Sequence, residues 1–236
     1  MKRTACAAGP AVTPGTPEPQ PIYNMNAFRF LIIALLTLGA NNLNVIAEWD
    51  EATALSVLAS DTEKKARACQ ALALVGGPES VPALAELLSN EQLASYARTA
   101  LEVINDPSAG DALREALPNL KGRLLAGAVT SLGIRGDEAA VPALQELATD
   151  PDRSVAMSAI AALARIGTED ALATVVKALN QGPSELRISA AHAALAAAET
   201  MAKKGNAETA NQLMTSVRAA VLPEYIKQAA IAMSAN

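Results

Sequence analysis

Few side chains in this sequence have the type and spacing that catalysis or metal binding requires. His192 is the only histidine, so a histidine-based metal site would lack a second imidazole ligand. Cys69 is far from Cys6, the only other cysteine, so no CxxC metal or redox motif is present. Lys64 and Lys65 precede Cys69 and could favour a thiolate, but a small core thiol is the expectation at this place.

Carboxylates occur in two close sets, Asp106 with Asp111 and Asp150 with Asp152. Such pairs could serve glycoside hydrolysis if they faced each other across a cleft. Both sets lie at predicted helix starts, however, where capping and compensation of the helix dipole explain them. No GxxxxGK[ST], GxSxG or HExxH motif is present. The sequence therefore predicts no enzyme, no cofactor and no metal.

The composition favours an all-helical protein. Of the 236 residues 51% are apolar and 3% aromatic, and alanine and leucine, both good helix formers, dominate the apolar share. The net charge of −5 gives no basic field for nucleic acid. We therefore expect no nucleic-acid partner.

The first 47 residues are predicted to lie outside the fold. Residues 1–24, MKRTACAAGPAVTPGTPEPQPIYN, lack periodicity and predict a disordered leader, with Met25 as an alternative start. Residues 25–47 have the parts of a signal peptide: Arg29, an apolar run, and Val-Ile-Ala before Glu48. The prediction is export to the periplasm or beyond, with no stable membrane span after cleavage. An uncleaved anchor and a cytoplasmic protein with a buried helix are the alternatives.

The rest of the chain, 48–236, repeats an amphipathic pattern about every 31 residues. VPALAELLSN and VPALQELATD lie sixty positions apart, and each belongs to a short helix, A, followed by a longer helix, B. The predicted A helices are Pro78–Ser89, Gly110–Leu117, Glu138–Ala148 and Glu169–Leu179. We number each B segment from zero at its first residue, which is Lys64, Leu93, Leu124, Val155 or Leu186. All five segments have alanine at position 4: Ala68, Ala97, Ala128, Ala159 and Ala190. Position 8 is leucine in four segments and Ala194 in the last, where Leu195 suggests a drift of one residue.

Helical spacing explains the pattern. Positions 0, 4, 7 and 8 lie on one side of a helix, so alanine at 4 lets two helices approach closely while leucine at 8 fills the adjacent space. A hairpin of this size cannot bury its own apolar side, but stacked hairpins can. Glycines at 76–77, 136, 167 and 205 predict that the preceding helices end with a residue in the left-handed conformation. Asn105-Asp106 predicts the same kind of helix end in the second unit. Pro151 is predicted to open a helix capped by Asp150, and Pro142 to bend its helix.

The segments GGPESVPALAELL, RGDEAAVPALQELATDPDRSVAMSAIAALARIG and GTEDALATVVKAL resemble the short HEAT repeats of bacteria, also called PBS-lyase HEAT-like repeats. The resemblance implies an α–α superhelix, a HEAT-like solenoid of about five two-helix repeats, between capping helices at 49–59 and 206–235. It also implies that the B helices line the concave side. Position 6 should then face solvent there.

The predicted function is that of a non-catalytic scaffold, a monomer that holds a protein or peptide in its concave groove. The candidate contacts are Arg67, Gln70, Tyr96, Thr99, Thr130 and His192, and Arg98 is considered with Tyr96 because arginine and aromatic side chains carry much of the energy of interfaces. The resemblance also offers a bilin lyase or lyase subunit, which acts inside the cell. A HEAT-like DNA glycosylase is disfavoured because it would need a basic groove. A fragment of a longer exported repeat protein is disfavoured because the polar end Met233-Ser234-Ala235-Asn236 is typical of a natural terminus.

Overall fold

The computed structural model describes residues 49–234, and the predicted leader and signal segment lie outside this range. All regular elements within it are helices, arranged as five successive A–B hairpins and a closing pair. The predicted all-α solenoid is confirmed. None of the described helices combines the length and apolar character that crossing a bilayer requires.

The hairpins follow one another without long connections. The A helices are α1 (Glu51–Val57), α3 (Val81–Glu86), α5 (Pro107–Ala116), α7 (Val141–Leu147) and α9 (Glu169–Gln181). The B helices are α2 (Thr62–Val75), α4 (Ala94–Val103), α6 (Gly122–Arg135), α8 (Arg153–Ile166) and α10 (Ser184–Lys203). The closing pair is α11 (Ala207–Ala219) and α12 (Glu224–Ser234). Short 3₁₀ turns extend three A helices, at Pro78–Ser80, Leu87–Ser89, Leu117–Asn119 and Glu138–Ala140.

The alanine seam and the leucine column form the core. All five alanines at position 4 and all five residues at position 8 are inaccessible to solvent. Ala194 keeps position 8 in α10 and Leu195 is half-buried, so the predicted drift of one residue is wrong. The register is preserved because each B helix must fit the same groove of its neighbour.

The helix ends follow the sequence in most places. Asp50, Asp61, Asp106 and Asp152 each accept a hydrogen bond from a backbone N–H in the first turn of a helix. Gly136 and Gly167 have φ values of 66° and 76°, so left-handed glycine closes α6 and α8.

Four predictions about local structure are wrong. Gly76 at the end of α2 and Ile104 at the end of α4 are extended, so neither helix closes through a left-handed residue. Asp152 is the N-cap of α8, which places Pro151 before the helix instead of at its first position. Pro142 lies in the first turn of α7, directly after a 3₁₀ turn, and therefore needs no bend.

Two polar contacts tie neighbouring hairpins together. The guanidinium of Arg135, at the end of α6, donates to the carbonyls of Leu101, Ile104 (2.8 Å) and Asp106 (3.0 Å), which satisfies free acceptors at the end of α4. In α1, the carboxylate of Glu51 accepts from the N–H of Gly77 (2.8 Å) and the hydroxyl of Ser80 (2.5 Å). These contacts therefore link consecutive repeats through side chains in addition to the apolar core.

Candidate functional site

The exposed face of the B helices is the inner side of the array. Successive B helices pack closely, whereas successive A helices make few contacts. The A helices leave open gaps of about 1120 Å³ between α9 and α11 and about 630 Å³ between α3 and α5. When one row of helices is closely packed and the other is spread apart, the array curves so that the closely packed row lies on its concave side. We call the exposed face of α2, α4, α6, α8 and α10 the inner wall.

The six side chains predicted as contacts are all exposed on this wall. Arg67 and Tyr96 occupy position 3 of their helices. Position 6 is exposed in all five B helices, which confirms that this column faces solvent. The column consists of Gln70, Thr99, Thr130, Ala161 and His192. That these residues contact a partner stays a prediction.

Several of these side chains are held by their own helix. Arg67 forms an ion pair with Glu63 at 2.7 Å. The hydroxyl of Thr99 donates to the carbonyl of Ser95 (3.0 Å), and that of Thr130 donates to the carbonyl of Ala126 (2.8 Å). The two hydroxyl oxygens therefore keep only acceptor capacity for a ligand.

Position 10 also belongs to the inner wall, and reasoning from the sequence missed it. Leu74, Val103 and Ile134 occupy this position in the first three B helices and are 49%, 47% and 45% exposed. Tyr96 lies two turns before Val103 on the same face of α4 and is 38% exposed. Position 10 follows position 6 by one turn, so extending the comparison beyond position 8 would have found it.

A shallow cleft of about 760 Å³ lies farther along the wall, between α6, α8 and α10. Thr130, Met157, Ser158 and Ser189 line it with hydroxyl groups and one thioether. An ion pair between Arg153 and Glu185 joins α8 to α10 near its edge. The cleft offers hydrogen bonds and apolar contact, and Arg153 is the charged side chain in its lining.

Charge is divided between the two rows of helices. The five B helices contain ten basic and four acidic residues, whereas the five A helices with their 3₁₀ turns contain two basic and nine acidic residues. The inner row thus has a net charge of +6 and the outer row −7. An acidic segment is attracted to the inner row and repelled by the outer one.

Arg98 is a link between helices, which corrects its place beside Tyr96 among the possible contacts. It occupies position 5, where the other B helices bury an apolar residue. Its guanidinium donates to the carbonyl of Gly127 (2.9 Å) and the hydroxyl of Ser131 (3.3 Å). That hydroxyl in turn donates to Glu102 (2.6 Å). Burial lowers the pKa of Arg98 relative to that of a free guanidinium.

Cys69 is a buried core thiol, as predicted. Burial raises its pKa to about 11, which opposes a reactive thiolate. The carboxylates of Asp106 and Asp152 are N-caps, and Asp111 pairs with Arg114 in its own helix. Within residues 49–234, no three His, Cys, Asp or Glu side chains are grouped in a way that could hold a metal ion.

These features define an α-helical repeat protein with one continuous exposed wall. Residues 121–196, from α6 into α10, match the family model described as HEAT repeats. No curated protein matches the chain.

Solved structures that are similar to the chain include the following two. One is an engineered protein from a structural genomics consortium, with 20% identity and a TM-score of 0.46 over 77% of this chain and 93% of that one. The other is the complex of CpcE and CpcF of phycocyanin lyase from Nostoc sp. PCC7120, with 19% identity and a TM-score of 0.44 over 94% of this chain and 91% of that one. At these values neither structure bears on what the chain binds.

Proposed function

We propose that this protein is a non-catalytic scaffold whose inner wall holds a protein or peptide partner. The exposed apolar side chains of the wall carry the proposal. Leu74, Tyr96, Val103 and Ile134 come from three consecutive repeats and share one face, whereas the described A helices expose no large apolar side chain. Several large apolar side chains exposed on one face among polar ones are typical of a protein interaction site.

Site-specific photo-cross-linking tests this function in cells of the native organism. A photoreactive residue at Thr99 or Thr130, both exposed on the wall, should form an adduct with one defined partner. The matched control is Glu146 or Ala173, exposed on A helices α7 and α9. Adducts that form equally at both sets of positions, or only at the A helices, would contradict the use of the inner wall.

We further propose that the protein is exported and works in the periplasm or outside the cell. The support is the sequence of residues 25–47, with a basic start, an apolar run and small residues before Glu48. Mass spectrometry of the protein from its native cells should find Glu48 as the first residue. A chain that keeps residues 25–47 and fractionates with the cytoplasm would overturn this proposal.

The bilin lyase alternative stays a prediction from the family resemblance. An absorbance titration of the purified protein with a free bilin tests it. The scaffold proposal expects an unchanged bilin spectrum, whereas a shifted and saturating spectrum would favour the lyase.

A further inference from the structure

The inner wall has a chemical order along the array. Position 10 is Leu74, Val103 and Ile134 in the first three repeats and Arg165 in the fourth, and all four side chains are exposed. In the described part of the chain, Arg165 has neither a hydrogen-bond nor an ion-pair partner. The column therefore presents three apolar side chains followed by a free cation.

Acidic side chains on the wall are already engaged. The carboxylates of Glu63, Glu185 and Glu199 pair with basic side chains at the wall, and Glu102 accepts the hydroxyl of Ser131. These four are the only acidic residues of the five B helices. The wall thus offers a partner positive charge without a competing free carboxylate.

The spacing of the column sets the shape of a ligand that fits it. Packed helices lie about 8–10 Å apart, so equivalent residues of neighbouring B helices recur at about that distance. A polyproline II segment advances about 3.1 Å per residue and completes a turn in three residues, about 9 Å. One residue in every three would therefore meet successive members of the column.

We propose that the inner wall binds an extended protein segment with an apolar side chain at every third residue and a carboxylate one triplet beyond them. The apolar side chains pack on Leu74, Val103 and Ile134, and the carboxylate pairs with Arg165. This inference rests on the scaffold function proposed above and adds the chemistry of the partner. The acidic outer row disfavours binding of the same segment to the A helices.

A synthetic peptide tests the inference by fluorescence anisotropy with the full chain. The probe is labelled with fluorescein and has leucine at every third residue over three triplets, proline and serine between them, and a final glutamate. It is made in both chain directions, and a matched peptide has lysine in place of the glutamate. The glutamate peptide should bind about two- to fivefold more tightly than the lysine peptide, with a preference that falls as salt is added.

Variants separate the two contributions. Arg165→Gln should reduce the preference for glutamate to the part that comes from the remaining positive charge of the inner row, whereas Lys177→Gln, which removes an exposed cation on A helix α9, should leave the preference unchanged. Ile134→Ser should weaken binding of both peptides about five- to tenfold, because it removes an apolar surface that the ligand would cover. Val221→Ser is the matched control, since Val221 is 79% exposed outside the B helices.

The inference would be overturned if the glutamate peptide were not preferred, or if the Ile134 variant bound both peptides as tightly as the wild type. Absence of binding by either peptide would overturn it as well. If adducts at Thr99 and Thr130 still form in cells, the scaffold function survives and only the acidic–apolar chemistry is wrong. If the wall positions give no adduct either, the scaffold function itself fails.

Discussion

Replacement of Gly133 by alanine tests how closely the B helices must approach. Gly133 is buried in α6 and faces Ala162 of α8. A Cβ atom at Gly133 would lie 2.6 Å from the Cα atom and 2.7 Å from the Cβ atom of Ala162. Carbon atoms in contact prefer a separation of about 3.5–4.0 Å, so the two helices would have to move apart by roughly 1 Å.

Two contributions of opposite sign set the size of the effect. Alanine in place of glycine in a helix interior stabilises by about 1 kcal/mol. Overpacking a tight core costs about 1–3 kcal/mol, and here the obstacle includes backbone, which cannot swing aside. We place the expected loss in the upper part of that range and predict a net loss of unfolding free energy of about 1 kcal/mol, which lowers Tm by roughly 2–4 °C.

Urea and thermal unfolding followed by the helical circular dichroism signal measure this loss. The matched control is Gly127→Ala in the same helix, where the new Cβ atom would meet the end of the Arg98 side chain, 2.5 Å from its Cζ atom. That side chain can move only by giving up its hydrogen bonds to Gly127 and Ser131, so this variant measures the cost of displacing a side chain, whereas Gly133→Ala measures the cost of displacing backbone. A Gly133 variant as stable as the wild type would refute the close approach.

Three further predictions concern the core, the first hairpin and the thiol. Leu132→Ala should lower the free energy of unfolding by about 2–5 kcal/mol, because the side chain of Leu132 is fully buried. Leu74→Ala should lower it far less in the same urea unfolding experiment, because the side chain of Leu74 is half exposed. Hydrogen bonds from Ser80 and Gly77 lower the pKa of Glu51, so the folded state binds the proton less readily than the unfolded state. The stabilisation from this carboxylate is therefore present at neutral pH and is lost as the pH falls below the ordinary carboxyl pKa. Glu51→Gln should therefore lose about 1 kcal/mol at neutral pH, and this deficit should shrink as the pH falls through the lowered pKa of Glu51, as measured by unfolding across pH. Cys69 is fully buried and burial raises the pKa of its thiol to about 11, so it should react with iodoacetamide at least about a hundredfold more slowly in the folded chain than in the unfolded chain.

Each of these has an outcome that would contradict it. Equal losses for the two leucine variants would mean that position 8 is not a core position. A Glu51 variant whose deficit does not change with pH would show that the carboxylate charge is not what ties the first hairpin to the second. The thiol reaction is followed on the peptide that contains Cys69, since Cys6 also reacts, and equal rates before and after unfolding would place Cys69 at the surface.

The sequence predicted most of the fold because the relevant signals are local. Ala97, Ala128 and Ala159 recur at one helical position, and a strict recurrence of small residues predicts a close contact with a neighbouring helix. The failures have a different origin. Gly76 and Pro142 are residues that favour a left-handed end and a bend, but tertiary contacts and a preceding 3₁₀ turn decided the conformation at these places.

The candidate site was predicted in part. The solvent column at position 6 follows from helical spacing, and the structure confirms its exposure. Arg98 looked like a surface residue, yet it lies against Gly127 of the next B helix. Its partner is about 30 residues away, so no pattern within one repeat could have assigned it.

The sequence by itself determined the helices, the hairpin period and the buried columns, because the periodicity of apolar side chains within a helix fixes which residues must be buried. Only the tertiary structure decided which side chains remain uncovered. Whether Leu74, Val103 or Ile134 is exposed depends on the distance and angle between neighbouring hairpins. Contacts such as those of Arg135 and Glu51 contribute to that geometry, and they join neighbouring repeats through residues 26 to 34 positions apart in the chain.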